Sequence, residues 1–381
     1  MKTPSEFDDI RPFDPEELPA VYDRLLANKQ FQAVVHFLYP DTPMEAIAAK
    51  MRQCKTNIEF QKTFCYTFLN DLVKTQSRGC EMDFSALDAS RCYTFMSNHR
   101  DIVLDAALLD KMLIDAKFTT TCEIAIGDNL LSIPWVLDIV RVNKSFIVKR
   151  GLMAREQLES SIKLSKYMHY AISEKKENLW IAQREGRAKD SDDRTQKAVL
   201  KMLALAGEGS VAERLKNLHI VPLAISYEFD PCDYLKAQEM QLRRDIKDYK
   251  KGENDDVNSM RIGITGYKGH IFYHCAPCID DFLQQLPADM SNADIYNAVA
   301  EHIDKSIFKN YHLYPNNYIA EDMLGGSTKW ADHYTDEDKA TFEKYLEKQM
   351  AKIDIPGKDE PFLRTQMLLM YANPLRNHLS V

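Results

Sequence analysis

Apolar residues recur at helical spacing early in the chain. Leu18, Tyr22, Leu25 and Leu26 fall at i, i+4, i+7 and i+8, and Phe60, Phe64, Phe68 and Leu72 repeat every four residues. This spacing predicts helices over 15–77, punctuated by Pro40 and Pro43. From about residue 90 the pattern changes to short apolar or alternating runs at 92–96, 121–126, 145–148, 179–182 and 220–226, which read as strands. Helical spacing at 102–116, 155–172 and 195–206 fills the intervals. Strands alternating with helices predict an α/β fold built on a mixed, mainly parallel sheet with surrounding helices. The runs 261–265 and 270–274, around Gly266 and Gly269, read as a hairpin, and 234–251 as a charged helix followed by an exposed polar link at 252–259. Beyond Cys278, helices are expected at 279–285, 293–308, 336–350 and 360–371. The expected organisation is an N-terminal helical region (1–88), an α/β domain (89–280) and a C-terminal helical region (281–381) packed on the core.

Composition narrows the class. Of 381 residues, 45% are hydrophobic and 28% charged, the balance of a globular chain and not of a disordered one. The apolar runs fall far short of the roughly 20 residues that cross a bilayer. The first residues are acidic and proline-containing, without the basic and apolar regions of a secretory signal, so a cytoplasmic location is expected. Eight scattered cysteines are too sparse for a disulfide scaffold and are expected to be reduced. A net charge of -8 argues against nucleic-acid binding. Within this acidic chain, 141–155 holds Arg141, Lys144, Lys149, Arg150 and Arg155 and no acid, a composition suited to meeting an anion.

Cys275-Ala-Pro-Cys278, with His270 and His274 close by, lacks the second ligand pair of a zinc ribbon, so no metal site is expected. Gly263, Gly266 and Gly269 do not have the spacing of a dinucleotide loop and read as turn residues, and no GxSxG, Walker A or HExxH motif occurs. The segment from Ser97 to Asp105 (Ser-Asn-His-Arg-Asp-Ile-Val-Leu-Asp) follows a predicted strand and opens a helix, the place where α/β sheets hold ligands. His99 there, with an acid a few residues on, has the makings of a general base. The alternative is that Asp101 caps the helix and His99 is an incidental loop residue.

Four ordered segments resemble the blocks of the glycerolipid acyltransferase superfamily, the glycerol-3-phosphate and 1-acylglycerol-3-phosphate (lysophosphatidate) acyltransferases. They are Asn98-His99 with a following Asp, the run from Ser145 to Lys149-Arg150, the run from Leu179 through Arg184-Glu185-Gly186-Arg187-Ala188-Lys189, and Ile220-Val221-Pro222-Leu223-Ala224-Ile225. The resemblance covers about 90–280. It implies that His99 takes the proton of an acceptor hydroxyl as that hydroxyl attacks an acyl thioester. Arg150 and Arg187 would hold the acceptor phosphate, with Lys189 as a weaker candidate, and rigid guanidinium forks suit phosphate. Glu185 matches the acid of the third block, and Gly186 would let the backbone approach a ligand. Two departures stand out: Arg184 replaces the usual Pro of the third block, and five residues, not four, separate His99 from Asp105, which in a helix turns a side chain by about 100° and leaves Asp101 open as the partner. Asp105 is favoured because the apolar stretch Ile102, Val103 and Leu104 suits burial beside the sheet and brings the next acid to the rim.

The implied activity is fatty acyl transfer from acyl-CoA or acyl carrier protein to a hydroxyl of a glycerophosphate such as glycerol-3-phosphate, in phospholipid biosynthesis. It needs no cofactor, metal or protein nucleophile. The alternatives are lysophosphatidate or another lipid or amine as acceptor, or an inactive lipid-binding relative. A long-chain product implies contact with a membrane surface, peripheral on its inner face.

Overall fold

The computed structural model describes residues 2–131, 133–252 and 254–381. Its centre is a seven-stranded sheet of β1 (Gly79–Asp83), β2 (Thr94–Ser97), β3 (Cys122–Gly127), β4 (Ser145–Val148), β5 (Asn178–Ala182), β6 (Ile220–Tyr227) and β7 (His270–Cys275), in the order β1-β7-β6-β2-β5-β3-β4. Every pairing is parallel except β6 with β7. The sheet is therefore mixed and mainly parallel, as the alternation of strands and helices predicts. Its central strands are apolar runs buried on both faces. Leu179, Ile220, Val221 and Leu223 are fully buried.

Register positions the functional loops. Ser97 pairs with Ala182 and with Leu223, and Gly127 with Val148. The connections after β2, β3, β4 and β5 thus leave together from the carboxyl edge, where an open α/β sheet receives its ligand.

Helices cover both faces. Ala154–Ser173, Lys197–Leu203 and Asn292–Lys309 bury Tyr167, Leu200 and Ile303 on one side, and Leu104–Asp115 buries Leu108, Leu109 and Leu113 on the other. The N-terminal helices from Leu18–Ala27 to Asn57–Phe60 form a cluster around Leu18, Tyr22 and Phe60 that packs on Val142, whereas Tyr66–Gln76 buries Leu69 and Leu72 in the core with Leu108 and Leu109. The C-terminal helices Pro315–Gly325, Asp336–Met350 and Glu360–His378 form a further cluster around Ile319, Phe342 and Leu363. Among the described residues no helix is long and apolar enough to cross a membrane.

Three sequence expectations need correction. The hairpin at 261–274 is absent, because 261–265 ends the helix Asp255–Thr265 and only His270–Cys275 is a strand. β-branched Ile262, Ile264 and Thr265 suggest a strand, but their surroundings hold them in a helix. The polar link 252–259 shrinks for the same reason, since that helix begins at Asp255, while Glu253 lies outside the described residues. β1, at the sheet edge, comes from the segment expected to be helical. Its residues Gly-Cys-Glu-Met-Asp carry no strand signal, and only pairing with β7 extends them.

Candidate active site

The loop after β2 is built around Asn98. Its fully buried amide accepts from the Ile225 N–H at 2.8 Å and donates to the Ile225 carbonyl at 2.9 Å, tying the loop to β6. Each bond stabilises by about 1 kcal/mol, and removing the amide strands two buried backbone groups. The next residue, His99, is thereby set at the carboxyl edge. Its ring packs edge-on to Trp180 with centroids 5.5 Å apart, and the Trp180 indole N–H donates to the Ser97 hydroxyl at 3.1 Å.

His99 Nδ1 lies 2.8 Å from Asp105 Oδ2. Asp105 is fully buried and is held by the backbone N–H groups of Arg100 (2.6 Å) and Asp101 (3.1 Å) and by the Tyr227 hydroxyl (3.1 Å). A carboxylate accepting at Nδ1 selects the tautomer whose lone pair is on Nε2, the form that takes a proton. Asp101 has a different task. Its Oδ1 accepts from the N–H groups of Val103 and Leu104 at 2.9 and 2.8 Å, capping the helix Leu104–Asp115. Burial and the neighbouring Asp105 push the Asp101 carboxyl up, against the pull of those two N–H groups. The extra residue between His99 and Asp105 is thus taken up by a loop that keeps the helix from starting before Leu104, and Asp105 is turned back toward the imidazole in its first turn.

His99 opens onto a cleft of about 680 Å³. One part of its wall is apolar, with Ile124, Ile126, Leu164, Ile181, Val199 and Met202. Another part is cationic, with Arg150, Arg184, Arg187, Lys189, Arg243 and Lys251. The cleft brings together His99, Arg150, Glu185, Gly186, Arg187 and Lys189 from three separate loops. Arg150 lies across Gly127, where a Cβ would come within 2.8 Å of its Nε, and its Nη1 is 3.4 Å from Glu185. Glu185 therefore faces a cation of the protein itself. Gly186 turns the chain with φ +68°, a conformation that side chains resist. Arg187 keeps Nη1 buried without a hydrogen-bond partner among the described residues. Lys189 is 2.8 Å from Glu239, but burial, reinforced by Arg187 beside it, brings its ammonium down to about 8.

The loop after β5 is fastened from several sides. Arg100, itself buried, reaches Asp193 at 3.1 Å. Thr195 donates to Asp304, and the side chains of Asn373 and Asn377, both in the helix Glu360–His378, donate to the Asp190 carbonyl and the Asp192 carboxylate.

The acid-free segment 141–155 is mostly not available to an anion. Arg141 donates to the carbonyls of Arg11 and Asp8 and stacks on Phe13, Lys144 meets Glu177, Lys149 meets Asp9, and Arg155 meets Glu159. Acids distant in sequence neutralise Lys144 and Lys149, whereas Arg155 finds its acid one helical turn away. The CxxC pair also separates. Cys275 is buried in β7, whereas Cys278 lies beside His219 and Asp280, with Arg91 3.5 Å from that carboxylate. Tyr227, Glu239, Arg243 and Lys251 carry no sequence signal, since only the folded chain brings the end of β6 and the segment beyond it beside the loops after β2 and β5.

Residues 86–226, from just before β2 almost to the end of β6, match the Acyltransferase family. That segment of the chain is similar to the acyltransferase family. The match spans the strands β2 to β5 whose loops line the cleft, while Glu239, Arg243, Lys251 and Asp256 of the lining lie beyond it. A crystal structure of the 1-acyl-sn-glycerophosphate (LPA) acyltransferase PlsC from Thermotoga maritima is similar over 76% of this chain and 96% of that chain, at 13% identity and a TM-score of 0.36. No curated protein matches the sequence.

Proposed function

We propose that the enzyme is a glycerolipid O-acyltransferase of phospholipid biosynthesis, moving a fatty acyl group from acyl-CoA or acyl carrier protein to a glycerophosphate hydroxyl. The observation that supports this reading is the single cleft that joins the His99–Asp105 pair to an apolar wall and a cationic wall. An acyl chain suits the first wall and a phosphate the second. His99 Nε2 takes the proton of the acceptor hydroxyl as its oxygen attacks the thioester carbonyl carbon. The new C–O bond forms, the C–S bond breaks, and the departing thiolate recovers the proton as free thiol. Asp105 stabilises the transient imidazolium.

The test is thiol release from acyl-CoA with glycerol-3-phosphate and lysophosphatidate as acceptors. Arg150→Ala and Arg187→Ala should each raise the acceptor KM about tenfold or more and leave the donor KM nearly unchanged, as loss of a charge-assisted contact predicts. Lys189 sheds its proton as pH rises through about 8, so the acceptor KM should also climb across that range. An equal rise for donor and acceptor would point to general destabilisation and sink the phosphate assignment.

A peripheral membrane contact belongs to the same proposal. Met153 and Leu158 are exposed, 74% and 53%, beside Gln157, Ser160 and Ser161 of the cleft rim. Co-sedimentation with anionic vesicles should occur and weaken in Met153→Asp/Leu158→Asp. No sedimentation at low salt would place the enzyme on soluble carriers alone.

A further inference from the structure

Arg100, the residue after His99, engages the protein through its N–H, its carbonyl and its guanidinium. The N–H donates to Asp105 Oδ2 at 2.6 Å and so holds the carboxylate that orients the imidazole. The carbonyl accepts from Lys236 Nζ at 3.1 Å, and that buried ammonium is paired with Asp230. The guanidinium, also buried, comes within 3.1 Å of Asp193, which is fully buried. Asp193 belongs to the loop after β5, four residues beyond Lys189 and six beyond Arg187. One buried pair thus joins the loop that carries the base to the loop that carries two cations of the cleft wall.

Such a pair adds little to the stability of a fold. Withdrawing two charges from water offsets much of what their attraction returns, and apolar side chains of similar size often serve as well. The two groups are also close without being aligned. Arg100 Nη1 and both Asp193 carboxylate oxygens lack hydrogen-bond geometry with any described residue, as does the buried Tyr311 hydroxyl. A cavity of about 30 Å³ lies against Arg100, Tyr311 and Ser191 and gives the pair room to adjust. Ser191, two residues before Asp193, holds φ +62°, a left-handed conformation that side chains resist. The loop after β5 is therefore fastened through Asp190, Asp192 and Thr195 yet strained and out of line where it meets Arg100, the makings of an element with two arrangements.

Resting on the reading of the cleft as a glycerolipid acyltransferase site, we infer that Arg100 and Asp193 are positioning residues through which acceptor binding sets the base. A phosphate drawn onto Arg187 and Lys189 shifts the loop after β5, and Asp193 comes into line with Arg100. The Arg100 N–H then moves Asp105, and with it the imidazole, into register with the acceptor hydroxyl. Neither Arg100 nor Asp193 lines the cleft, so each acts through its neighbours.

The test compares wild type with the paired variant Arg100→Met/Asp193→Leu, which exchanges the buried charges for apolar side chains, with melting temperatures for both. Nitrogen-15 labelling of histidine reports the His99 Nδ1 proton, identified by its loss in His99→Ala, with and without glycerol-3-phosphate or lysophosphatidate. In wild type the acceptor should shift this resonance. In the paired variant the acceptor should still bind by calorimetry but leave the resonance where it was, and turnover should fall about ten- to hundredfold, as a misplaced catalytic group predicts. The donor KM and the melting temperature should change little. A wild-type resonance indifferent to either acceptor, a shift that survives in the variant, or a variant turnover within about twofold of wild type overturns the coupling and leaves the acyltransferase reading in place. So does loss of acceptor binding, or a rise in both KM values with a large fall in melting temperature, the marks of a merely structural pair. No thiol release by wild type with either acceptor overturns both.

Discussion

Replacing His99 with Ala should lower turnover by about two to four orders of magnitude and leave the fold intact. The size follows from general-base catalysis, and the intact fold from the ring's position. His99 is held by Asp105 and by an edge contact to Trp180, while the loop itself is fastened through the backbone bonds of Asn98. Removing the imidazole leaves those bonds in place, so far-ultraviolet circular dichroism and the melting temperature should change little. The measurement is thiol release at saturating donor and acceptor. A His99→Ala enzyme retaining more than about a tenth of wild-type activity would exclude this role.

The two acids behind His99 should separate cleanly when each is changed to Asn. Asp105→Asn should lose roughly several hundred-fold or more in turnover, because an amide at Nδ1 admits the wrong tautomer and no longer stabilises an imidazolium. It also turns an amide toward a site furnished with donors, the N–H groups of Arg100 and Asp101 and the Tyr227 hydroxyl. Asp101→Asn should lose little, since Asn caps a helix nearly as well as Asp and the contacts of Asp101 are to Val103 and Leu104. Comparing the two rates under one set of conditions decides it. A crippled Asp101→Asn beside an active Asp105→Asn would reverse the assignment.

What the sequence reveals of this molecule depends on the range of the interaction. The buried strands 145–148, 179–182 and 220–226 are legible because continuous apolar runs describe a strand covered on both faces. β1 is illegible because Gly-Cys-Glu-Met-Asp becomes a strand only by pairing with β7, nearly two hundred residues away. The segment 261–265 misleads because β-branched residues in a packed helix look like a strand until the packing is known. The site divides in the same way. His99 and Asp105 are neighbours in sequence, so their pairing is open to inference. The positive charge at 141–155 is met by the carboxylates of Asp9, Glu159 and Glu177 and, at Arg141, by the carbonyls of Asp8 and Arg11, and no local window other than that around Glu159 contains these contacts. The cationic wall draws Arg243 and Lys251 from a helix and connection beyond β6, which only the folded chain brings opposite Arg187.

The fastening of the loop after β5 to the helix Glu360–His378 bears on how the enzyme comes into being. The dyad needs residues 98–105, with Tyr227 to steady Asp105, all of which leave the ribosome well before the C-terminal helices. The loop carrying Arg187 and Lys189 is held through Asp190, Asp192 and Thr195 by Asn373, Asn377 and Asp304, which are synthesised later. On the proposed reading, the residues of the base are thus all synthesised before the last residues that fasten the phosphate-binding loop, Asn373 and Asn377, so a chain truncated before the helix Glu360–His378 would keep the His99–Asp105 pair and lose that fastening.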